Sequence, residues 1–232
     1  MASCDHTAGV ATGSLTIRAK APADAIVRGL SRRALPMIQH RVLSPGEFRR
    51  MPWRNGGGLT TEIMSWPPQA ALDAFAWRVS IADVTKHGPF SHFDGIDRIL
   101  VLIGGAGMRL DGAGACAELR VPFEPYSFRG EDRIDCALLD GAVRDFNVMT
   151  RRDAARGRVT VVQQAGERIA PARFTLCHAV TGACECLIAG HPPIPLAAEH
   201  ALLLDDPEST CAPCFNPLSG DAIALVASID LL

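Results

Sequence analysis

Trp53, Arg54 and Asn55 stand directly before three consecutive glycines in the run Pro52-Trp53-Arg54-Asn55-Gly56-Gly57-Gly58. Glycine gives the backbone access to positive φ and lets it approach a ligand or a neighbouring strand closely. An indole plane, a guanidinium suited to bidentate carboxylate recognition and an amide that both donates and accepts could hold a small planar or carboxylate-bearing molecule. The same residues would also build a tight strand-to-strand loop around a packed Trp. A phosphate-binding loop is not indicated, because such a loop needs Lys and Ser or Thr after the glycines and then a helix N-terminus. Here the chain continues as Leu59-Thr60-Thr61-Glu62-Ile63, which has strand character.

A second group of polar residues sits within apolar surroundings. Arg78 and Ser80 fall on one face of Trp77-Arg78-Val79-Ser80-Ile81, opposite Trp77, Val79 and Ile81. Asp145, Asn147 and Met149 alternate onto one face of their own strand, and Arg98 precedes the apolar run Ile99 to Ile103. If these faces line one interior, they form a polar pocket able to meet an anion. Buried charges are expensive unless paired, so an Asp145 partnered by Arg78 or Arg98 would make structural sense without any ligand. No Gly-x-Ser-x-Gly elbow marks a hydrolase nucleophile. Paired carboxylates could be drawn from Glu62, Asp83 and Asp145, although such groups are more often solvated or salt-bridged.

The elements that must position these residues are short apolar or alternating runs separated by Gly, Pro and Asp, which predicts an all-β chain. Ile99 to Ile103, the Gly104-Gly105-Ala106-Gly107 turn and Met108-Arg109-Leu110 read as a β-hairpin. Ile134 to Leu139, Asp140-Gly141 and Val143 to Met149 read as another. After residue 153 the rhythm repeats more weakly, with a closing strand after Gly220 that echoes the one after Gly141. Closed barrels or jelly rolls would remove the free edges of so many strands.

The chain has 232 residues, enough for a substantial core, and a formal net charge of −2. That balance gives no basic field for nucleic acid or an anionic membrane surface. No apolar run approaches the roughly 20 residues of a bilayer span. The eight cysteines are scattered and no secretory signal precedes them, so reduced thiols in the cytoplasm are expected. Residues 1–36 lack a continuous apolar segment and read as a disordered N-terminal extension. Translation beginning at Met37 is an alternative account of them.

Several short motifs occur in order: Pro52-Trp53-Arg54-Asn55-Gly56-Gly57-Gly58, Trp77 to Ala82, Gly88-Pro89-Phe90-Ser91, Asp97-Arg98, Pro122 to Phe128 and Asp145-Phe146-Asn147-Val148-Met149. Between about Met37 and Arg152 this set resembles the HutD/Ves family. The resemblance implies a bicupin, with two cupin-like β-barrel or jelly-roll units at 37–152 and 153–232. It also implies an association with bacterial histidine utilisation, and hence ligands such as urocanate or formylglutamate. The residues expected to contact such a ligand are Trp53, Arg54, Asn55, Arg78, Ser80, Arg98, Asp145 and Asn147.

Many cupins hold a metal through a His-x-His pair, a downstream Glu and another His. That pattern is absent here: His87 and His92 flank a Pro-containing loop, and His178, His191 and His200 lie apart. Cys184, Cys186, Cys211 and Cys214 could make a zinc site, but their spacing lacks paired Cys-x-x-Cys knuckles. No metal or other cofactor is expected. The leading reading is a small-carboxylate-binding protein that modulates histidine utilisation without catalysis. One rival is a metal-independent cupin isomerase or lyase using Asp145 or Glu62 as base. The other is a structural or interaction protein, a homodimer joined through barrel edges.

Overall fold

Trp77, Val79 and Ile81 are completely buried, yet the alternating Arg78 and Ser80 are only 5% and 2% exposed. Alternation in this strand therefore separates two interiors, not core from solvent. The computed structural model describes residues 38–53, 56–112 and 115–232. The expectations for residues 1–36 and for Met37, Arg54 and Asn55 lie outside the described residues.

The first eleven strands are β1 (Gln39–Leu43), β2 (Arg49–Pro52), β3 (Gly58–Trp66), β4 (Trp77–Val84), β5 (Gly88–Pro89), β6 (Ile96–Gly104), β7 (Met108–Gly112), β8 (Ala115–Leu119), β9 (Pro125–Arg129), β10 (Ile134–Leu138) and β11 (Val143–Arg151). The remainder are β12 (Ala155–Val162), β13 (Glu167–Arg168), β14 (Phe174–Thr181), β15 (Cys184–Leu187), β16 (Ile194–Leu196), β17 (Ala201–Asp205), β18 (Cys214–Pro217) and β19 (Ile223–Leu231). Among the described residues, no helix is long and apolar enough to cross a membrane.

The strands form four sheets, in the orders β2-β3-β4-β11-β6-β9, β5-β10-β7-β8, β1-β17-β14-β19-β12 and β13-β18-β15-β16. The six-stranded and five-stranded sheets pack against each other through Trp77, Val79, Ile81, Phe146 and Val148 on one side and Phe174, Leu176, Leu225, Ala227 and Ile229 on the other. Their outer faces are covered by the four-stranded sheets. Leu100, Leu102 and Val143 meet Met108, Leu110 and Ile134. Cys177, Leu202 and Val226 meet Cys186, Leu196 and Phe215. The chain is thus a stack of four layers whose two central sheets are buried on both faces.

The all-β expectation holds, but the closed barrels do not. Each sheet is open: the six-stranded sheet ends on β2 and β9, its cover ends on β5 and β8, and no ladder joins them. Chemistry at one seam accounts for the gap. Pro52 ends β2 and Pro89 makes half of the two-residue β5, and neither has an N–H to donate across it.

The two predicted hairpins are also corrected. β6 and β7 lie in facing sheets, as do β10 and β11. Their glycine turns are arches that carry the chain from one layer to the next. Gly105 has φ +91°, and a Cβ there would run into the Ala142 carbonyl oxygen of the neighbouring arch, so the close approach requires glycine. Finally, β1 pairs with β17, placing an early strand in a sheet built otherwise from residues after 154.

Candidate functional site

A cavity of about 490 Å³ lies between the six-stranded sheet and its four-stranded cover, opening beside the Pro52 and Pro89 seam. Its floor is the inner face of β4, β11 and β6. Antiparallel register sets three rungs: Arg78, Met149 and Arg98; Ser80, Asn147 and Leu100; Ala82, Asp145 and Leu102. Of the eight residues singled out in the sequence, Trp53, Arg78, Ser80, Arg98, Asp145 and Asn147 line this one cavity.

The two arginines flanking Met149 are in different electrostatic situations. Arg78 Nε donates to Glu62 Oε2 at 2.6 Å, and both side chains are buried. Ser65 Oγ reaches the other Glu62 oxygen at 3.4 Å. Arg78 is therefore neutralised from within, by a carboxylate that β3 brings alongside β4. Glu62 is correspondingly committed to structure.

Arg98 has no ion pair or hydrogen bond among the described residues. Its guanidinium carbon instead lies 4.8 Å from the ring centre of Phe128, 5.3 Å from Phe90 and 5.9 Å from Phe93. Such contacts attract a cation and hold its plane, but they leave its charge unneutralised. Burial pulls the Arg98 pKa down to about 10, with the Asp145 field opposing and the Arg78 field assisting. The side chain is still a cation at neutral pH.

Asp145 is 1% exposed. Burial raises its pKa to about 7, Arg98 opposes that rise and Asp83 adds to it. Asp145 Oδ1 and Asn147 Oδ1 are buried with no hydrogen-bond partner among the described residues. The floor thus presents a fixed cation beside two unused acceptors. It can take an anionic group at Arg98 and an N–H or O–H donor at the acceptors.

At the rim, Trp53 Nε1 donates to Thr60 Oγ1 at 2.8 Å, which fixes the indole over the start of β3. The glycines serve this placement. Gly56 has φ +64°, and a Cβ on Gly58 would stand 2.5 Å from the Asp83 carbonyl oxygen and 3.1 Å from the Trp53 ring. Trp53 N also donates to the Gly58 carbonyl at 2.9 Å. Of this run, Trp53 is packed against Gly58 where β3 begins, and Pro52 and Trp53 line the cavity.

Histidine and cysteine have other surroundings. His87 Nδ1 accepts from the Leu138 N–H at 2.9 Å, and His92 Nε2 meets Asp94 at 2.8 Å. Cys184 and Cys186 belong to an apolar core with Ile194 and Phe215, and burial pushes the Cys186 thiol up to about 12. Among the described residues, no group of three or more His, Cys, Asp or Glu is arranged to hold a metal ion.

The family model described as HutD matches residues 46–216, a span that contains the whole cavity. The chain belongs to the HutD family. This family is a cupin-related group linked to histidine utilisation. Similar proteins include an uncharacterised 21.2 kDa protein in the hutC 3′ region of Pseudomonas putida, 38% identical over 154 residues that make up 66% of this chain and 80% of that one. A conserved protein of unknown function from Pseudomonas aeruginosa PAO1 superimposes with a TM-score of 0.76 at 32% identity, covering 83% of this chain and 99% of that one. HutD from Pseudomonas fluorescens SBW25 gives 0.70 at 29% identity, covering 84% and 100%.

In this member of the HutD family, sequence reasoning placed Met149 on the same face as Asp145 and Asn147 but missed the aromatic cage and the role of Glu62 as the partner of Arg78. Phe90 and Phe128 lie in motifs that carried the resemblance, Gly88-Pro89-Phe90-Ser91 and Pro122 to Phe128. The available signal was aromatic residues within polar, Pro-containing segments, where a core role is not the obvious one.

Proposed function

We propose that this chain binds a small carboxylate metabolite of histidine breakdown, of the urocanate or formylglutamate kind, and modulates histidine utilisation through that binding without catalysing a reaction. The observation that carries the reading is Arg98, a buried guanidinium held by three phenylalanine rings in an open cavity with no carboxylate of the described residues bonded to it. A ligand carboxylate supplies a directly bonded counter-charge with charge-assisted, bidentate geometry, where Asp145 acts only through space. Trp53 offers a plane at the rim, and Asp145 and Asn147 accept from the ligand's N–H. In this reading the protein works in the cytoplasm and its partner is a small molecule, not nucleic acid.

The test is a panel of urocanate, histidine, formylglutamate and glutamate, scored for thermal stabilisation and for turnover. A ligand that binds the native state raises apparent stability by mass action. Saturable stabilisation without product is expected. If no carboxylate in the panel stabilises the protein, the reading fails.

One observation favours a second reading, a metal-independent isomerase or lyase. A buried carboxyl with a pKa of about 7 is in the range of a general base, and Asp145 is such a group. Product in the same panel, lost in Asp145→Asn, would establish it.

A further inference from the structure

Asp145 and Arg98 face the same cavity from neighbouring strands, β11 and β6, without forming an ion pair. Asp145 is 1% exposed and, among the described residues, its Oδ1 has no hydrogen-bond partner and Arg98 is held by rings alone. Within this cavity the Asp145 carboxylate is a nearby negative charge that acts on Arg98 through space. An anion arriving at Arg98 would compete with it for one cation inside a low-dielectric enclosure.

We infer that the cavity takes up a proton together with its anionic ligand: the ligand carboxylate replaces Asp145 as counter-charge to Arg98, and the Asp145 carboxylate accepts the proton from solvent. This rests on the carboxylate-binding reading above. At Arg98 the exchange is neutral, since one carboxylate charge and one proton enter together; a dicarboxylate such as formylglutamate brings one further negative charge with it. Protonated Asp145 also gains an O–H, which lets it donate to the incoming carboxylate instead of repelling it.

The surrounding charges support the exchange. Among the described residues, β4 contributes Arg78 and Asp83, β3 contributes Glu62, β6 contributes Arg98, and the covering β10 contributes Cys136. Arg78 is bound to Glu62, so it is not a free counter-ion for Asp145. Asp83 and burial both act to hold the proton on Asp145, whose pKa is already about 7 before any anion arrives. The thiol of Cys136 is pushed up to about 11 by burial and by Asp145, so it remains neutral throughout.

The experiment is isothermal titration of the full chain with N-formylglutamate, which has no titrating group of its own between pH 5.5 and 9, in buffers of different ionisation enthalpy. Close to one proton is taken up per ligand at pH 8 and close to none at pH 5.5. The Kd rises about tenfold per pH unit above 7 and is flat below 6. In Asp145→Asn the affinity no longer varies with pH. Wild-type proton uptake needs no variant, so a poorly folding substitution does not affect it. Saturable binding with a pH-independent Kd in the wild type would overturn the coupling and leave the binding reading intact. Absence of N-formylglutamate binding at every pH would overturn the coupling, and absence of binding by every carboxylate of the panel would overturn the reading beneath it as well.

Discussion

Arg78 Nε and Glu62 Oε2 lie 2.6 Å apart in the cavity floor, with both side chains buried. The pair converts Arg78 from a ligand anchor into a structural element and, of the two arginines that line the cavity among the described residues, leaves Arg98 as the cation available to an anion. A buried pair is most sensitive to losing one member, since the survivor is then an uncompensated charge.

Glu62→Gln is therefore expected to destabilise the fold by about 3–5 kcal/mol, and Glu62→Leu combined with Arg78→Met by much less. Urea unfolding of the three proteins checks this. Equal losses in the single and double variants would show that the pair does not act as a unit.

Arg98→Ala has the opposite signature. Because the guanidinium is buried without an ion pair, its removal should leave the unfolding midpoint unchanged or raised. The Kd for urocanate or formylglutamate should rise about 10–100-fold through loss of a charge-assisted hydrogen bond. Thermal melts with and without ligand separate the two effects. A large drop in the apo melting temperature would assign Arg98 a structural role.

Asp145 and His178 should give stability opposite pH dependences. The folded Asp145 pKa, about 7 against an ordinary 3.8, means its contribution is fully present below 3.8 and is lost as pH rises to 7, on the order of 4 kcal/mol in all. His178 stacks on Phe146 with ring centres 6.2 Å apart and is pushed down to about 4, chiefly by burial. Its contribution is fully present above 6.5 and is lost as pH falls to 4, on the order of 3 kcal/mol. Between pH 4 and 6.5 the two slopes nearly cancel in the wild type. Asp145→Asn should reveal stability that rises with pH, and His178→Leu stability that falls with pH, both read from denaturant midpoints. Parallel profiles for the two variants would contradict the assignment.

Gly58→Ala should cost about 1–3 kcal/mol, because its Cβ would meet the Asp83 carbonyl at 2.5 Å and the Trp53 ring at 3.1 Å. The displaced indole should also lose its hydrogen bond to Thr60 and change its fluorescence. An unperturbed emission spectrum would mean that Gly58 does not set the Trp53 position.

Local pattern made much of this legible. The alternation in β4 placed Arg78 and Ser80 together, and the alternation in β11 placed Asp145, Asn147 and Met149 together, as observed. Pairings between distant segments were not legible. Gly104 to Gly107 and Asp140-Gly141 carry ordinary hairpin chemistry, yet both connect facing sheets, because turn residues specify a reversal and not which layer receives the next strand. The aromatic cage is non-local in the same way: Phe128 reaches Arg98 only because β9 pairs with β6 in the register that sets those two residues opposite each other. Arg78 and Glu62 depend on a bulged ladder between β3 and β4, a shift that no periodicity announces. The sheets stay open instead of closing into barrels, with Pro52 and Pro89 on two of the free edges, and strand count alone does not reveal where ladders stop.

The pairing of Gln39–Leu43 with Ala201–Asp205 also bears on biosynthesis. The first strand emerges from the ribosome about 160 residues before its partner, a wait of roughly 8–30 s at typical elongation rates. Over that interval the six-stranded sheet can assemble, but the face that will meet Phe174, Leu225 and Ile229 has nothing to cover it. The nascent chain therefore carries an exposed apolar sheet until residues 155–231 arrive, and an unpaired first strand until Ala201–Asp205 emerges.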